Sequence, residues 1–363
     1  MILDRYLARR FLRSFAGTLL VFFGLLSLID LVEQTRRFGD EAQGLWPVLA
    51  LTLLNVPSSL YAILPLVAMI GAIALFLNLA RSSELVVARA SGRSAIRALL
   101  GPGLVAVLIG AVLVAAVNPL VAATARAHEE RQARLEGDTS ILALADDGLW
   151  LRQGGEEGPT VIRAARANLD GTVLSGVTFL AYGPDGRPRA RVEAGTATLA
   201  QGRWVASDAK AWDFDAPNPE AAATLHRTLE LPSPLTADQI RDSFGDPSSI
   251  SVWELPAFID RLEEAGFAAQ RHRVHLQAEL AQPALLLAMT LIAAAFTMQP
   301  QRGRRVGAVV LGAILVGFGL YALRNLALIL GEAGEVPPLL AAWAAPVAAI
   351  GLSLGLLLHL EEG

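Results

Sequence analysis

The chain has 363 residues, 53% of them hydrophobic and 18% charged, with a mean hydropathy of +0.47. Soluble domains carry about 25% charged residues, so this composition excludes an ordinary soluble enzyme and a disordered chain alike. The absence of cysteine removes disulfide frameworks, thiolate metal sites and cysteine nucleophiles, and a net charge of −4 excludes a globally basic nucleic-acid binder. What remains is a membrane protein with a soluble portion. Lys210 is its only lysine.

Crossing about 30 Å of hydrocarbon takes roughly 20 apolar residues in a helix. By that measure six spans are expected. Residues 2–13 place Ile2, Leu3, Tyr6 and Leu7 on one helical face, with Arg5, Arg9 and Arg13 elsewhere, and predict a short helix lying in the interface. The first span follows from Ser14 to Val32. The stretch Leu45–Ala80 carries no charge but is broken by Pro47, Pro57 and Pro65. It reads as an approach segment followed by a second span from Pro57 to Ala80. It could also hold two short spans, but that would put the arginines at 81–97 outside. With six spans, Arg5–Arg13, Arg81–Arg97 and Arg302–Arg305 all lie inside, which fits the positive-inside tendency. The other spans are Ala98–Ala123, Leu280–Met298, Val306–Leu330 and Pro338–Leu360. A cleaved signal peptide does not fit the first span, because SLIDLVEQ offers no small-x-small cleavage site.

Between the third and fourth spans the character changes. The runs LWLRQ, TVLSGVTFLAY and ARVEAGTATLA alternate apolar and polar residues, and GGEEGP, GPDGRP and QGRWVAS punctuate them as turns. Residues 138–250 are expected to form an all-β domain of sandwich or jelly-roll type. A helix is then expected from Ser251, where SVWE matches a Ser-x-x-Glu capping box, carrying ELPAFIDRLEEAG and feeding HRVHLQAEL into the fourth span. The chain divides into an N-terminal membrane half (1–137), the β domain (138–250) and a linking helix with a C-terminal membrane half (251–363). The fold class is an α-helical membrane protein, three spans on each side of an inserted β domain.

Several chemistries lack their residues. A Gly-x4-Gly-Lys-Ser/Thr phosphate loop needs a lysine, and Lys210 sits in ASDAKAWDF without the glycines. The five histidines form no His-Glu-x-x-His, and His272/His275 has no carboxylate placed to complete a zinc site. Neither a catalytic centre nor a cofactor or metal site of this chain's own is expected.

Two features carry chemistry. ARSSELVVARASGRS, between the second and third spans, offers a small apolar face of Leu85, Val86 and Ala90 flanked by Glu84, Arg89 and Arg93, and ends at Gly92, a typical helix-terminating residue. It reads equally well as a helix docking into a soluble partner or as a charged connection. The second feature is charge at the outer boundary: Asp30, Glu33, Arg36 and Arg37 after the first span, Arg126, Arg131 and Arg134 after the third, Arg271, Arg273 and Glu279 before the fourth, and Arg324 in the fifth. Charges in spans line cavities, pair or snorkel, and arginine makes forked bonds to phosphate. Taken singly, snorkelling and pairs such as Arg324 with Asp30 are favoured. Taken as a ring, they point to an anionic lipid headgroup.

LDRYLARRFLRSF, PSSLYAILPLVAMIGA and above all RSSELVVARASG resemble the LptF/LptG (YjgP/YjgQ) permeases of lipopolysaccharide export. QPALLLAMTLIAAAF, QRGRRVGAVVLGAI and GEVPPLLAAWAAP agree, so the resemblance runs along essentially the whole chain, nearest to its LptG type. The resemblance implies an ABC permease subunit of the bacterial inner membrane. Both termini would be cytoplasmic and the β domain periplasmic. It would extract lipopolysaccharide from the outer leaflet and pass it through the β domain toward the outer membrane. Implied partners are an LptF-like permease, a cytoplasmic LptB-like ATPase dimer that holds the ATP and magnesium, an LptC-like anchored protein and a periplasmic β bridge. Residues 82–92 would be the coupling helix, with Glu84, Leu85, Val86, Arg89, Ser91 and Gly92 facing the ATPase. Glu33, Arg36, Arg37 and Arg126 match charged positions that meet lipid, together with Arg324 and Asp30. Asp30 stands where some members carry a basic residue, which favours pairing with Arg324 over a phosphate role. The alternative is a mechanotransmitting or scaffold subunit that carries no lipid itself.

Overall fold

The structure is a computed structural model describing residues 2–38, 45–82, 84, 94–136, 141–145, 148–153, 158–168, 172–200, 202–234, 247–264, 268–298 and 306–362. The chain forms two compact units: one of residues 1–129, 248–253 and 270–363, the other of residues 130–247 and 254–269.

In the first unit, α1 runs from Ile2 to Phe38 without a break. The expected separate interfacial helix is therefore the first part of the span. Nothing in residues 2–18 interrupts the i→i−4 ladder, and Leu7, Phe11 and Phe15, at the spacing of one helical face, are all buried. Helix α2 (Leu45–Arg81) is likewise continuous, with Pro57 and Pro65 inside it. The prolines did not divide the stretch into an approach and a span. Each deletes one backbone bond, which a helix held between packed neighbours tolerates. Helix α3 (Ala95–Val112) passes through a π turn at Leu113–Val117 into α4 (Asn118–Glu136). The expected fourth span is two helices, α6 (Gln270–Leu280) and α7 (Gln282–Thr297), bent by 51°. Two more follow, α8 (Val306–Glu332) and α9 (Pro338–Glu362). Among the described residues, five helices are long and apolar enough to cross a membrane, and six segments if the bent pair counts as one.

Helix α2 is central, packed against α1, α7 and α8. Val67, Ala72 and Phe76 have no exposed surface, and neither do Leu285 and Met289 of α7. Backbones approach closely where side chains vanish: Ser14 Oγ donates to the Gly71 carbonyl at 2.7 Å, and a Cβ on Gly110 would lie 2.5 Å from the Pro283 Cα. Small residues at helix contacts are how membrane helices gain packing where no hydrophobic drive separates them from lipid.

The second unit holds a seven-stranded antiparallel sheet in chain order: β1 (Ile141–Ala145), β2 (Gly148–Gln153), β3 (Thr160–Ala167), β4 (Val173–Tyr182), β5 (Pro188–Ala200), β6 (Arg203–Asp213) and β7 (Thr224–Pro232). Every strand pairs with its sequence neighbour, so the described sheet is a meander, simpler in its connections than a sandwich or jelly roll. QGRWVAS, expected as a turn, is mostly strand: the turn is at Gly202 (φ +80°) and β6 begins at Arg203. GPDGRP does turn, with Gly186 at φ +76°. Ile162, Leu174 and Trp204 are fully buried, and the Phe179 and Trp204 rings lie 6.3 Å apart. One line of irregularity crosses five strands. Ala165, Gly176, Gly195, Asp208 and Arg227 interrupt the ladders in a row, while the register is the same on both sides: Ala164 faces Val177 and Arg166 faces Ser175. At the row, two successive residues of β3, β4 and β5 point outward, so the inward phase shifts by one in each strand together. Gly176 and Asp208 are left-handed there, with φ of 62° and 52°.

Helix α5 (Leu255–Glu264) buries Leu255, Ile259 and Leu262 in this unit. It starts later than the capping box predicts. Ser251 Oγ accepts from the Trp253 amide at 3.4 Å, and residues 252–254 form a turn ahead of the helix.

Candidate functional site

Two polar clusters stand out in the helical unit. The first lies where α2 ends. The Glu84 carboxylate accepts from Arg10 Nη1 at 2.8 and 3.0 Å, from Tyr6 Oη at 2.9 Å and from Ser82 Oγ at 2.8 Å. The Arg10 guanidinium also lies over the Tyr6 ring, 5.2 Å from its centre. Partial burial pushes the Glu84 pKa up, but the bonds from Ser82, Tyr6 and Arg10 and the arginine's charge outweigh this and hold it below the usual carboxylate range. Of the expected coupling helix, Leu85, Val86, Arg89, Ser91 and Gly92 lie outside the described residues. Glu84 itself is tied to α1 of its own chain, which sequence reading missed. Tyr6 and Arg10, one helical turn apart, were the available signal.

The second cluster sits around the bend between α6 and α7. Glu279, 5% exposed, accepts from Tyr61 Oη of α2 at 2.6 Å and from Asn118 Nδ2 of α4 at 3.0 Å, and His275 Nε2 lies 3.8 Å away. Arg324 of α8 is also buried, 8% exposed, and its Nη1 donates to Asn325 Oδ1 at 3.4 Å. The expected pair of Arg324 with Asp30 is not formed. Asp30 Oδ1 accepts from Asn55 Nδ2 at 2.6 Å, and His128, which feels the Asp30 charge, has Nε2 3.5 Å from Gln34 Nε2. The reason is geometric: Asp30 is turned to Asn55 of α2, and Arg324 bonds its own neighbour Asn325 on α8. A charge count along a sequence cannot say which face of a helix meets which neighbour.

The remaining predicted residues spread out. Glu33, Arg36 and Arg37 are exposed on the last turns of α1, and Arg126 is exposed on α4. Helices α1 and α8 bury only 6% and 11% of their most apolar stretches, against 61% for α2. Leu20, Val21, Leu28 and Ile29 of α1, and Leu315, Phe318, Leu326 and Ile329 of α8, face outward. The described residues thus present two poorly covered helices, one ending in a cluster of exposed charges, and a meander β domain between two helical halves.

That arrangement has a match along almost its full length. Residues 5–359 match the family described as lipopolysaccharide export system permease LptF/LptG. The chain belongs to the LptF/LptG family. Lipopolysaccharide export system permease protein LptG of Escherichia coli K12 is 26% identical over 363 residues, covering 99% of this chain and 98% of that protein. The Haemophilus influenzae Rd protein of the same name is 26% identical over 352 residues, covering 92% and 91%. As an LptF/LptG permease the chain is a multi-pass membrane transport component, not an enzyme.

Proposed function

We propose that this chain is the LptG-type half of a permease pair in the inner membrane. It would draw lipopolysaccharide from the outer leaflet and pass it to its periplasmic β domain, with both termini cytoplasmic. The observation that supports this best is the poor coverage of α1 and α8. Two long apolar faces left open in one chain fit a cavity wall completed by an LptF-like partner and filled by acyl chains. The exposed Glu33, Arg36 and Arg37 at one end of α1, with Arg126 and Arg324, supply groups for an anionic headgroup. Removing a multi-chain lipid from a bilayer costs about 0.8 kcal/mol per methylene, so the transfer must be driven. The chain has no lysine-bearing phosphate loop, and we assign the work to a separate cytoplasmic ATPase dimer, LptB-like, which binds the ATP and magnesium. The segment beginning at Glu84 is its docking site. An LptC-like anchored protein and a bridge of β domains would receive the lipid.

Native mass spectrometry of the detergent-solubilised complex tests the assembly. A second permease, two ATPase copies and a bound lipopolysaccharide mass are expected. An ATPase complex that never carries lipid would favour mechanotransmission, and a chain recovered alone would favour a scaffold. Arg36→Glu with Arg37→Glu is expected to lower lipid-stimulated ATP hydrolysis while the complex still assembles. Wild-type stimulation in that variant would return these arginines to a snorkelling role.

A further inference from the structure

Pro119 creates a defect in the third span. Having no N–H, it cannot bond the Ala115 carbonyl four residues earlier, and the helix widens into the π turn at Leu113–Val117, where the Asn118 amide reaches five residues back to Leu113. The carbonyl so released is taken up from far along the chain: Trp253 Nε1 donates to Ala115 O at 3.0 Å. Beside it, the Val252 amide donates to Asn118 Oδ1 at 2.8 Å. The other end of the same Asn118 amide donates to Glu279, which also takes the Tyr61 hydroxyl. Asn118 is 3% exposed and Glu279 5%. Residues 248–253 are the last of the helical unit before the chain enters the stretch that folds with the β domain.

We propose that Asn118 and Trp253 are positioning residues for transport. The Ala115 carbonyl freed by Pro119 and the Asn118 side chain form a polar socket for residues 252–253. It grips the Trp253 indole N–H and the Val252 amide while the Trp253 ring stays 68% exposed, and Asn118 passes their position to Glu279 at the bend between α6 and α7. This gives one short polar relay from the chain's re-entry into the helical unit to three of its helices. Every bond in it is specific in direction: indole N–H to carbonyl, amide N–H to amide oxygen, amide NH2 to carboxylate. Movement of residues 252–253 therefore moves the seat of the bent span. A Trp253 serving only as an interfacial anchor would need neither the released carbonyl nor Asn118. The inference rests on the reading of this chain as a lipid-moving permease.

The test uses the complete exporter in vesicles of phospholipid and lipopolysaccharide, reading lipid released and ATP hydrolysed together, with Trp253→Phe, Asn118→Ala and Pro119→Ala. Trp253→Phe and Asn118→Ala are expected to lower lipid released per ATP by about five-fold, the order set by one lost hydrogen bond, with ATP hydrolysis of the assembled complex retained. Hydrogen exchange at Val252 is expected to speed up in Asn118→Ala. Pro119→Ala restores the missing donor and closes the defect, so its thermal midpoint should not fall while its coupling does. An unchanged ratio in assembled Trp253→Phe or in Pro119→Ala overturns the socket. If Trp253→Phe and Asn118→Ala fail to assemble, Pro119→Ala alone decides. A wild-type complex that hydrolyses ATP but releases no lipid would overturn the permease reading instead.

Discussion

Glu84 shows how much one side chain can be asked to do. Its carboxylate is fully occupied by Arg10, Tyr6 and Ser82 within the chain, so an ATPase residue approaching it must share or replace those partners. Because its folded pKa is held below the usual carboxylate range, the clamp is present at neutral pH. It persists through the range where a free glutamate takes up its proton, and it is lost only as pH falls through the lowered value. The chain has no cysteine, so a spin label at Arg81→Cys reports this directly. In the wild type its mobility is expected to rise only at a pH below that at which a free glutamate titrates, and with Glu84→Gln to be high and independent of pH. The exposed ion pair is worth about 0–1 kcal/mol, so folding should survive. Glu84→Arg is expected to abolish docking of the ATPase, and Arg10→Glu with Glu84→Arg shows which partner matters. Recovery of transport in the double swap would place the essential contact inside the chain. Continued loss would place it on the ATPase.

The row of irregular residues across β3 to β7 belongs to the scale of elements. An extra outward residue in one strand bends that strand. The same shift in neighbouring strands keeps register, because each partner moves with the next, and concentrates bending along one line. The backbone has to be left-handed at Gly176 and Asp208, which glycine adopts freely and aspartate does not. Gly176→Ala is expected to lower the stability of the β unit by about 1–2 kcal/mol, more so because its Cβ would lie 3.1 Å from that of Ala165. Asp208→Gly should be neutral or gain up to about 1 kcal/mol. Thermal unfolding of the whole chain, followed by the near-ultraviolet signal of the buried Trp204, distinguishes the two. Equal effects would mean that the row carries no strain.

For the molecule as a whole, the uneven coverage of its helices is decisive. Helix α2 is enclosed by α1, α7 and α8, while α1 and α8 keep most of their apolar surface open. Single cysteines at Leu28 and Leu326, 65% and 53% exposed, should cross-link to the proposed second permease if these faces complete a cavity with it. The same change at Phe76, which has no exposed surface, should not. Cross-linking at neither exposed site would mean that these faces meet lipid alone.

The sequence by itself determined that apolar helices flank an inserted β domain, and it determined the family. Each rests on a property summed over many residues: the length of apolar runs, the period of alternation, the asymmetry of arginines, the wording of SELVVARASG. Such sums tolerate local error. Proline content misled for α2, and the Ser251 capping pattern for α5, because a tertiary environment can hold a helix through a missing bond or start it four residues late. Partnerships were decided only in three dimensions. That Asp30 meets Asn55 and not Arg324, that Glu84 is held by Arg10, that Glu279 takes Tyr61 and Asn118, and that the Trp253 indole bonds the carbonyl freed by Pro119 all depend on which helical faces meet. Residues separated by 25 to 218 positions are brought together by such crossings, and no local pattern encodes them.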